Sequence, residues 1–155
     1  MKKIFLIFTI AVFAFTLSNA QELEEYSDVI DMIAKQNKIL EEYIKGCENA
    51  KEAKDVVALL TKYKDGFKAL IPEFKALVKK YGPLGEIFKD NPPEHVKPYI
   101  KKNEELIQSL LGASIELGKY KDDPEVKKVQ EEVRKVQMEI NGIINPKKEG
   151  EEEKE

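Results

Sequence analysis

Apolar side chains recur at alternating steps of three and four residues through nearly all of the chain after residue 20. That spacing places them on one face of an α-helix, and no segment shows the alternation of a half-buried strand. Helix-starting and helix-stopping residues divide the periodic stretch into four segments. Because the connections are short, consecutive helices should run in opposite directions. The sequence therefore predicts an all-α protein, an up-down-up-down four-helix bundle with coiled-coil-like seams.

The first helix is predicted over residues 22–45. Asn37 is the one polar interruption of its apolar seam, and Gly46 follows as a residue that tolerates the left-handed backbone of a helix end. Residues 22–45 carry a net charge of −4, and residues 50–81 carry +4. Opposite charges favour antiparallel packing of the first two helices, although each exposed ion pair adds only about 0–1 kcal/mol.

The second helix is predicted to begin at Asn49. The Asn49 side chain can accept from a free backbone N–H, while Glu52 reciprocates three residues later as in a capping box. The apolar stripe keeps its phase across Pro72, so this proline should kink the helix rather than break it. Gly82-Pro83 supplies the end of the helix.

The third and fourth helices each open on a capping residue followed by proline, which needs no N–H at the first helical position. Asn91-Pro92 starts the third helix, and Gly112 and Gly118 weaken its second half. Asp123-Pro124 starts the fourth. The core-facing residues predicted for the third helix are Val96, Tyr99, Ile100, Asn103, Leu106, Ile107, Leu110, Leu111 and Ile115. Those predicted for the fourth are Val126, Val129, Val133, Val136, Ile140 and Ile143.

The first 20 residues have the pattern of a secretory signal. Lys2 and Lys3 precede an apolar run over residues 4–17, and Ser18-Asn19-Ala20 places small residues before a cleavage position. A membrane-spanning helix takes about 20 apolar residues, and this run is shorter. We therefore expect cleavage before Gln21.

Cleavage there would divide the chain into a signal peptide (1–20), a helical bundle domain (21–146) and a tail (147–155). The tail is charged and has no large apolar residue, so it should stay disordered. The product should be periplasmic or secreted, with no stable membrane anchor after cleavage.

The charge of the chain after residue 20 argues against nucleic-acid binding. It carries 24 basic and 29 acidic side chains, and Arg134 is its only arginine. Cys47 is the only cysteine, so it forms no internal disulfide. It could pair between chains or stay a free thiol. A small, partly buried side chain at a helix end is the interpretation that we favour, because nothing nearby marks Cys47 as reactive.

The sequence contains no motif that indicates an enzymatic or metal site. There is no phosphate-binding loop and no nucleophile motif, and His95 is the only histidine. A di-iron bundle needs two Glu-x-x-His motifs, and covalent haem attachment needs two cysteines. We therefore expect no enzymatic activity, no catalytic residue, no metal and no cofactor.

Non-covalent haem is the harder case, because exported four-helix cytochromes hold haem between one histidine and one methionine. If the chain resembles these cytochromes, the ligand pair would be His95 and Met138. These two residues should lie near the same level of the bundle. Met138 falls opposite the apolar seam of its helix, and Met32 lies off the main seam of the first helix. A ligand pair must point into the core, so haem binding stays an alternative that the spacing disfavours.

Two asparagines, Asn37 and Asn103, occupy core positions on helices that should run parallel. A buried asparagine costs stability unless it is paired, and it can fix the register of the helices in exchange. We interpret both as structural residues that satisfy each other, water or a backbone group, rather than as ligand-binding residues.

The first helix carries a second row beside its seam. With that row, its apolar face spans about 200° at about 100° per residue, wider than a bundle helix normally buries. Either this helix is more enclosed than the others, or the row is an exposed strip for a partner. The residues of this candidate partner-binding row are Val29, Met32, Gln36, Ile39 and Tyr43.

These observations leave two functional expectations. The first is an exported, non-catalytic protein that acts through a helix surface as a binding, chaperone-like or envelope-associated module. The alternative is a periplasmic carrier of a small apolar ligand or haem, of the four-helix cytochrome type. The partner would be a protein or an apolar ligand, and self-association stays open.

Overall fold

The structure is a computed structural model that describes residues 26–84 and 92–146. The described residues form four α-helices and no strand: α1 (Ser27–Asn49), α2 (Ala53–Tyr81), α3 (Lys97–Glu116) and α4 (Pro124–Ile144). A short 3-10 helix, Leu117–Tyr120, joins α3 to α4. The predicted all-α four-helix bundle is confirmed. The signal segment and the tail lie outside the described residues. Among the described residues, no helix is both long and apolar enough to cross a membrane.

Helices α1 and α2 form an antiparallel pair, as their opposite charges predict. Lys80 Nζ lies 2.7 Å from Asp28 Oδ2 near one end of the pair. Lys62 Nζ lies 3.1 Å from Glu42 Oε2 nearer the other end. Residues early in α1 thus meet residues late in α2, and the intervening turn is short.

The other close helix pairs are parallel. Asn37 of α1 bonds to the backbone of Tyr99 in α3, and six residues further along α1 the Tyr43 hydroxyl bonds to Ser114. Helix α4 runs along α2 in the same way. Helix α3 packs closely on α1 and α4 packs closely on α2, whereas α3 and α4 make few close contacts with each other. The two helices of the first hairpin are therefore the central members of the bundle.

The boundary between α1 and α2 differs from the prediction. Gly46 does not end α1, which continues to Asn49. A Cβ at Gly46 would overlap with Leu59 Cδ1, so the glycine makes room for α2 rather than stopping the helix. Glu52, not Asn49, caps α2, and its backbone N–H donates to Asp55 Oδ2 at 3.2 Å.

The predicted stripe of α2 is largely confirmed. The helix runs without interruption through Pro72, whose side chain lies at the exposed surface. Gly82 follows the last helical residue with a positive φ of 84°, which a glycine adopts without strain. The buried residues of α2 are Val56, Leu60, Tyr63, Phe67, Leu70, Ile71, Phe74 and Leu77.

The predicted start of α3 at Pro92 is wrong. Residues 94–96 form a turn, and α3 begins at Lys97 with Pro98 as its second residue. Pro92 and Pro98 could each occupy the first turn of a helix, where a missing N–H costs nothing. The helix starts at the later proline, and the turn before it buries Val96 completely. The predicted core stripe holds only in part, since Ile100 and Asn103 are buried but Tyr99, Leu111 and Ile115 are exposed.

The start of α4 is confirmed. Asp123 Oδ1 accepts hydrogen bonds from the backbone N–H groups of Glu125 (2.9 Å) and Val126 (3.1 Å), and Pro124 takes the first helical position. The seam is buried as predicted from Val126 to Ile140. At its end the structure buries Ile144 and leaves Ile143 half-buried.

A candidate binding groove between the first two helices

The second apolar row of α1 does not form an exposed strip, so that interpretation is wrong. Val29, Met32, Gln36 and Tyr43 are all buried, and Ile39 is half-buried. The cause is the central place of α1, which packs against α2 on one side and α3 on the other. A helix with two neighbours buries a wider arc than a helix with one. The two neighbours of α1 together cover its apolar face of about 200°.

The two core asparagines meet. Asn103 Nδ2 donates to Asn37 Oδ1 at 2.7 Å, and Asn37 Nδ2 donates to the backbone oxygen of Tyr99 at 3.3 Å. Both side chains are buried. The pair thus supplies a polar contact between the parallel helices α1 and α3. Beside it, Gln36 is 3 % exposed, and its Nε2 has no hydrogen-bond partner among the described residues.

An open groove lies between the surfaces of α1 and α2. Its volume is about 670 Å³. Most of the surface that faces the groove is apolar, and the charged side chains lie at its rim. Its lining residues are Ile39, Glu42 and Tyr43 from α1, with Ala58, Leu59, Thr61, Lys62, Tyr63, Asp65 and Gly66 from α2.

Two glycines, one on each helix, set the shape of this interface. A Cβ at Gly66 of α2 would lie 3.1 Å from Ile39 Cγ1, and Gly46 of α1 makes the same kind of room for Leu59. Each helix therefore presents a large side chain to a glycine of the other. Ile39 and Leu59 are held at the floor of the groove, half-buried, by these reciprocal contacts.

The inner wall of the groove is aromatic. The rings of Tyr43 and Tyr63 have centroids 4.8 Å apart, and Tyr63 is also 4.8 Å from Phe67. Burial raises the pKa of both tyrosine hydroxyls, and for Tyr63 it outweighs the opposing effect of the hydrogen bond from Gln137 Nε2. Both phenols therefore stay neutral at physiological pH, and the wall contributes shape and apolar area rather than charge.

The rim of the groove carries both signs of charge. Lys62 Nζ pairs with Glu42 Oε2 across the groove at 3.1 Å, and Asp65 lies 3.5 Å from Lys64 Nζ. The Glu42 and Lys62 side chains are exposed, so their pairing is weak and water can replace it at little cost, whereas the Lys64 side chain is only 18 % exposed. The groove thus combines an apolar floor with a rim that offers both a donor and acceptors.

Cys47 lies in the core close to this wall. Its side chain is 4 % exposed, and burial raises the pKa of the thiol to about 11 even though the Tyr43 hydroxyl bonds to it. A thiol with that pKa is protonated at physiological pH, so it is a poor nucleophile and a poor metal ligand. The structure places Cys47 as a packed core residue rather than as an accessible thiol.

The residues considered for haem do not come together in the core. His95 lies half-buried in the turn before α3, whereas Met138 is 62 % exposed on the outside of α4. Met32 is buried, but on a different side of α1 from the contact with α3, the helix that follows His95. It lies about 140° around α1 from Asn37, the residue that bonds to α3. Among the described residues, no three His, Cys, Asp or Glu side chains cluster as a metal site would require.

Comparison of the chain with protein-family models, with curated proteins and with solved structures finds no match. The groove therefore has to be judged on its own geometry. Sequence reasoning missed it, although one signal was present: Gly46 and Gly66 lie on the facing sides of two helices with opposite charge. Glycine is also common at helix ends, and the prediction that Gly46 ends α1 leaves out its place in the interface.

Proposed function

We propose that this is an exported, non-catalytic interaction protein that binds an amphipathic α-helix of a partner protein in the groove between α1 and α2. The observation that carries this proposal is the groove itself, with its apolar floor and its charged rim. Two antiparallel helices leave a furrow between them into which a third helix can lay its apolar side chains.

The shape of the groove favours a helix over a small apolar ligand. Pockets for small ligands bury about 70–90 % or more of the ligand surface. This groove is open to solvent, and Ala58, Lys62 and Asp65 at its edge are exposed. A small apolar molecule would keep one side in water, whereas a partner helix would cover the groove and turn its own polar side outward.

The rim fits the polar flanks of such a helix. One stretch of the groove edge carries the exposed carboxylates of Glu42 and Asp65 and the exposed ammonium of Lys62. A partner helix with basic and acidic residues beside its apolar stripe could exchange the weak Glu42–Lys62 pair for pairs of its own. Carriage of haem or a small ligand is the weaker alternative, because the exposed Met138 cannot join His95 in the core.

Photo-crosslinking from inside the groove tests the proposal. A photoreactive amino acid replaces Ala58, and the same residue at Lys68, an exposed position of α2 that does not line the groove, is the matched control. We expect the Ala58 probe, and not the Lys68 probe, to join an amphipathic helical segment in cell-envelope fractions, as mapped by mass spectrometry. The charge reversal Lys62→Glu should weaken that crosslink.

Equal crosslinking from both positions, or capture of only a small molecule at Ala58, would overturn the proposed function. Export is tested separately by the intact mass of the protein from the envelope fraction. We expect a chain that begins at Gln21, and a chain that still carries residues 1–20 would contradict export by a cleaved signal.

A further inference from the structure

A second surface of the molecule, on α3, is apolar where a bundle surface is normally charged. Leu111 is 43 % exposed and Ile115 is 78 % exposed, one helical turn apart. Gly112 lies next to them, and nothing lies within 4 Å of the position that its Cβ would occupy. We define Leu111, Gly112 and Ile115 as the α3 patch. It belongs to a different helix from those that form the groove.

The α3 patch faces away from the rest of the bundle. Asn103 and Lys102 are the residues of α3 that bond to α1, through Asn37 and Glu41. At about 100° per residue, Leu111 lies about 80° and Ile115 about 120° around the helix from Asn103, on the side opposite Lys102. Because α4 makes few close contacts with α3, this side of the helix is left uncovered among the described residues.

The charges around the α3 patch have a self-complementary order. Glu104 lies seven residues before Leu111, and Lys119 lies seven residues after Gly112, in the 3-10 helix that directly follows α3. Both charged side chains are exposed.

We propose that the α3 patch binds a second copy of this chain, with the two α3 helices antiparallel across a two-fold axis between Leu111 and Gly112. In that arrangement Glu104 of each copy faces Lys119 of the other. An isologous contact requires such self-complementarity, and a parallel pairing would instead place like charges together. Gly112 lets the two backbones approach closely at the crossing point.

The contact is a weak one. It joins one helix of each copy, and two chains that each carry a net charge of −5 after residue 20 repel each other. Small interfaces of this kind are weak and transient. The apolar centre supplies most of the attraction, and the two Glu104–Lys119 pairs set the direction in which the helices run.

Sedimentation velocity of the exported chain, under reducing conditions, tests the proposal. We expect the average mass to rise from the monomer toward the dimer between about 1 µM and about 1 mM. Leu111→Lys with Ile115→Lys should weaken association by about tenfold or more. The matched control is Met138→Lys, which changes an exposed apolar residue on another helix and should leave association unchanged. Circular dichroism confirms that each variant is folded.

A charge swap identifies the partner as a second copy in the antiparallel direction. Glu104→Lys alone should weaken association, and Glu104→Lys combined with Lys119→Glu should restore it. A chain that stays monomeric at about 1 mM, at which even millimolar affinities are visible, would overturn the proposal and leave the patch to a different protein. Dimers that persist when Leu111 and Ile115 are lysines, or that the second charge change fails to restore, would also overturn it. None of these outcomes bears on the groove.

Discussion

The first and third helices look alike in sequence and differ in the structure. Both carry apolar residues at three-four spacing with one asparagine in the seam, over 23 and 20 residues. Helix α1 buries eight residues, whereas α3 buries two. The difference follows from position, because α1 packs against two helices and α3 packs closely on one. An apolar stripe shows that a helix has a face to bury, and it does not show how many neighbours bury it.

Truncation of one core residue on each helix should give the largest contrast. Ile33 of α1 is 2 % exposed, and Ile33→Ala should lower the free energy of unfolding by about 2–5 kcal/mol, because it leaves a cavity in the core. Leu110 of α3 is half-buried, and Leu110→Ala should cost about 1 kcal/mol, because solvent and neighbouring side chains can fill the space. Urea denaturation measures both. Equal losses would show that α3 is as enclosed as α1.

The asparagine pair allows a test of the contact between the two helices. Asn37→Leu should destabilise by about 1–3 kcal/mol, because it leaves the buried Nδ2 of Asn103 without its acceptor. Replacing both asparagines by leucine should be close to neutral, because neither polar group is then orphaned. A double-mutant cycle in urea measures the coupling. Additive losses would mean that the two side chains do not share a bond in solution.

Glycine-to-alanine changes should have opposite signs on the two helices. Alanine gains about 1 kcal/mol over glycine inside a helix. At Gly112 of α3 nothing lies within 4 Å of the new Cβ, so Gly112→Ala should raise stability by about that amount. At Gly46 of α1 the new Cβ would meet Leu59 Cδ1, so Gly46→Ala should lose about 1 kcal/mol net, because Leu59 must move. Thermal melts at low protein concentration compare the two. A stabilised Gly46→Ala variant would contradict the close packing of α1 on α2.

The smallest expected effect is a pH dependence at one end of the α1–α2 pair. Burial alone would raise the pKa of the Asp28 carboxyl, but hydrogen bonds from Lys80 Nζ (2.7 Å) and the Tyr81 hydroxyl (2.8 Å) outweigh it and lower the pKa below its ordinary value of 3.8. A lowered carboxyl pKa stabilises the folded state above that value, and the contribution is lost as the pH falls through the folded-state pKa.

Asp28→Asn should therefore reduce stability at pH 7 and make little difference at a pH well below 3.8. Urea midpoints of the two proteins at several pH values measure this. The matched control is Asp31→Asn, which changes an exposed residue of the same helix. A stability difference that stays constant down to low pH would show that the loss comes from packing rather than from the charge of Asp28.

The parts of the fold that were predictable from the sequence are those that local chemistry decides. Asp123 followed by proline allows few structures other than a helix start, and the structure has one there. Met138, two residues from the seam on either side, is exposed as its phase predicts. Gly46 could not be assigned in this way, because the same residue type serves a helix end and a close helix contact.

The candidate site was not predictable, because it depends on which helices become neighbours. Ile39 belongs to a row whose phase favoured exposure and burial almost equally, and only the presence of both α2 and α3 beside α1 decides between them. The same holds for Leu111 and Ile115, which have the spacing of core residues and lack a neighbour to cover them. Periodicity is local, whereas a groove and a patch are properties of the packed helices.

The parallel pairing of α1 with α3 and of α2 with α4 bears on how the chain can fold. Hydrogen bonds across these two pairs join residues 62 to 74 positions apart. Only the α1–α2 hairpin can form early. The other pairs close long loops, which costs conformational entropy before any contact with the distant helix stabilises the chain, so they form slowly. A chain that crosses a membrane from its N-terminus would hold a half-covered hairpin until the last helix emerged, and that interval is when it would most need protection from aggregation.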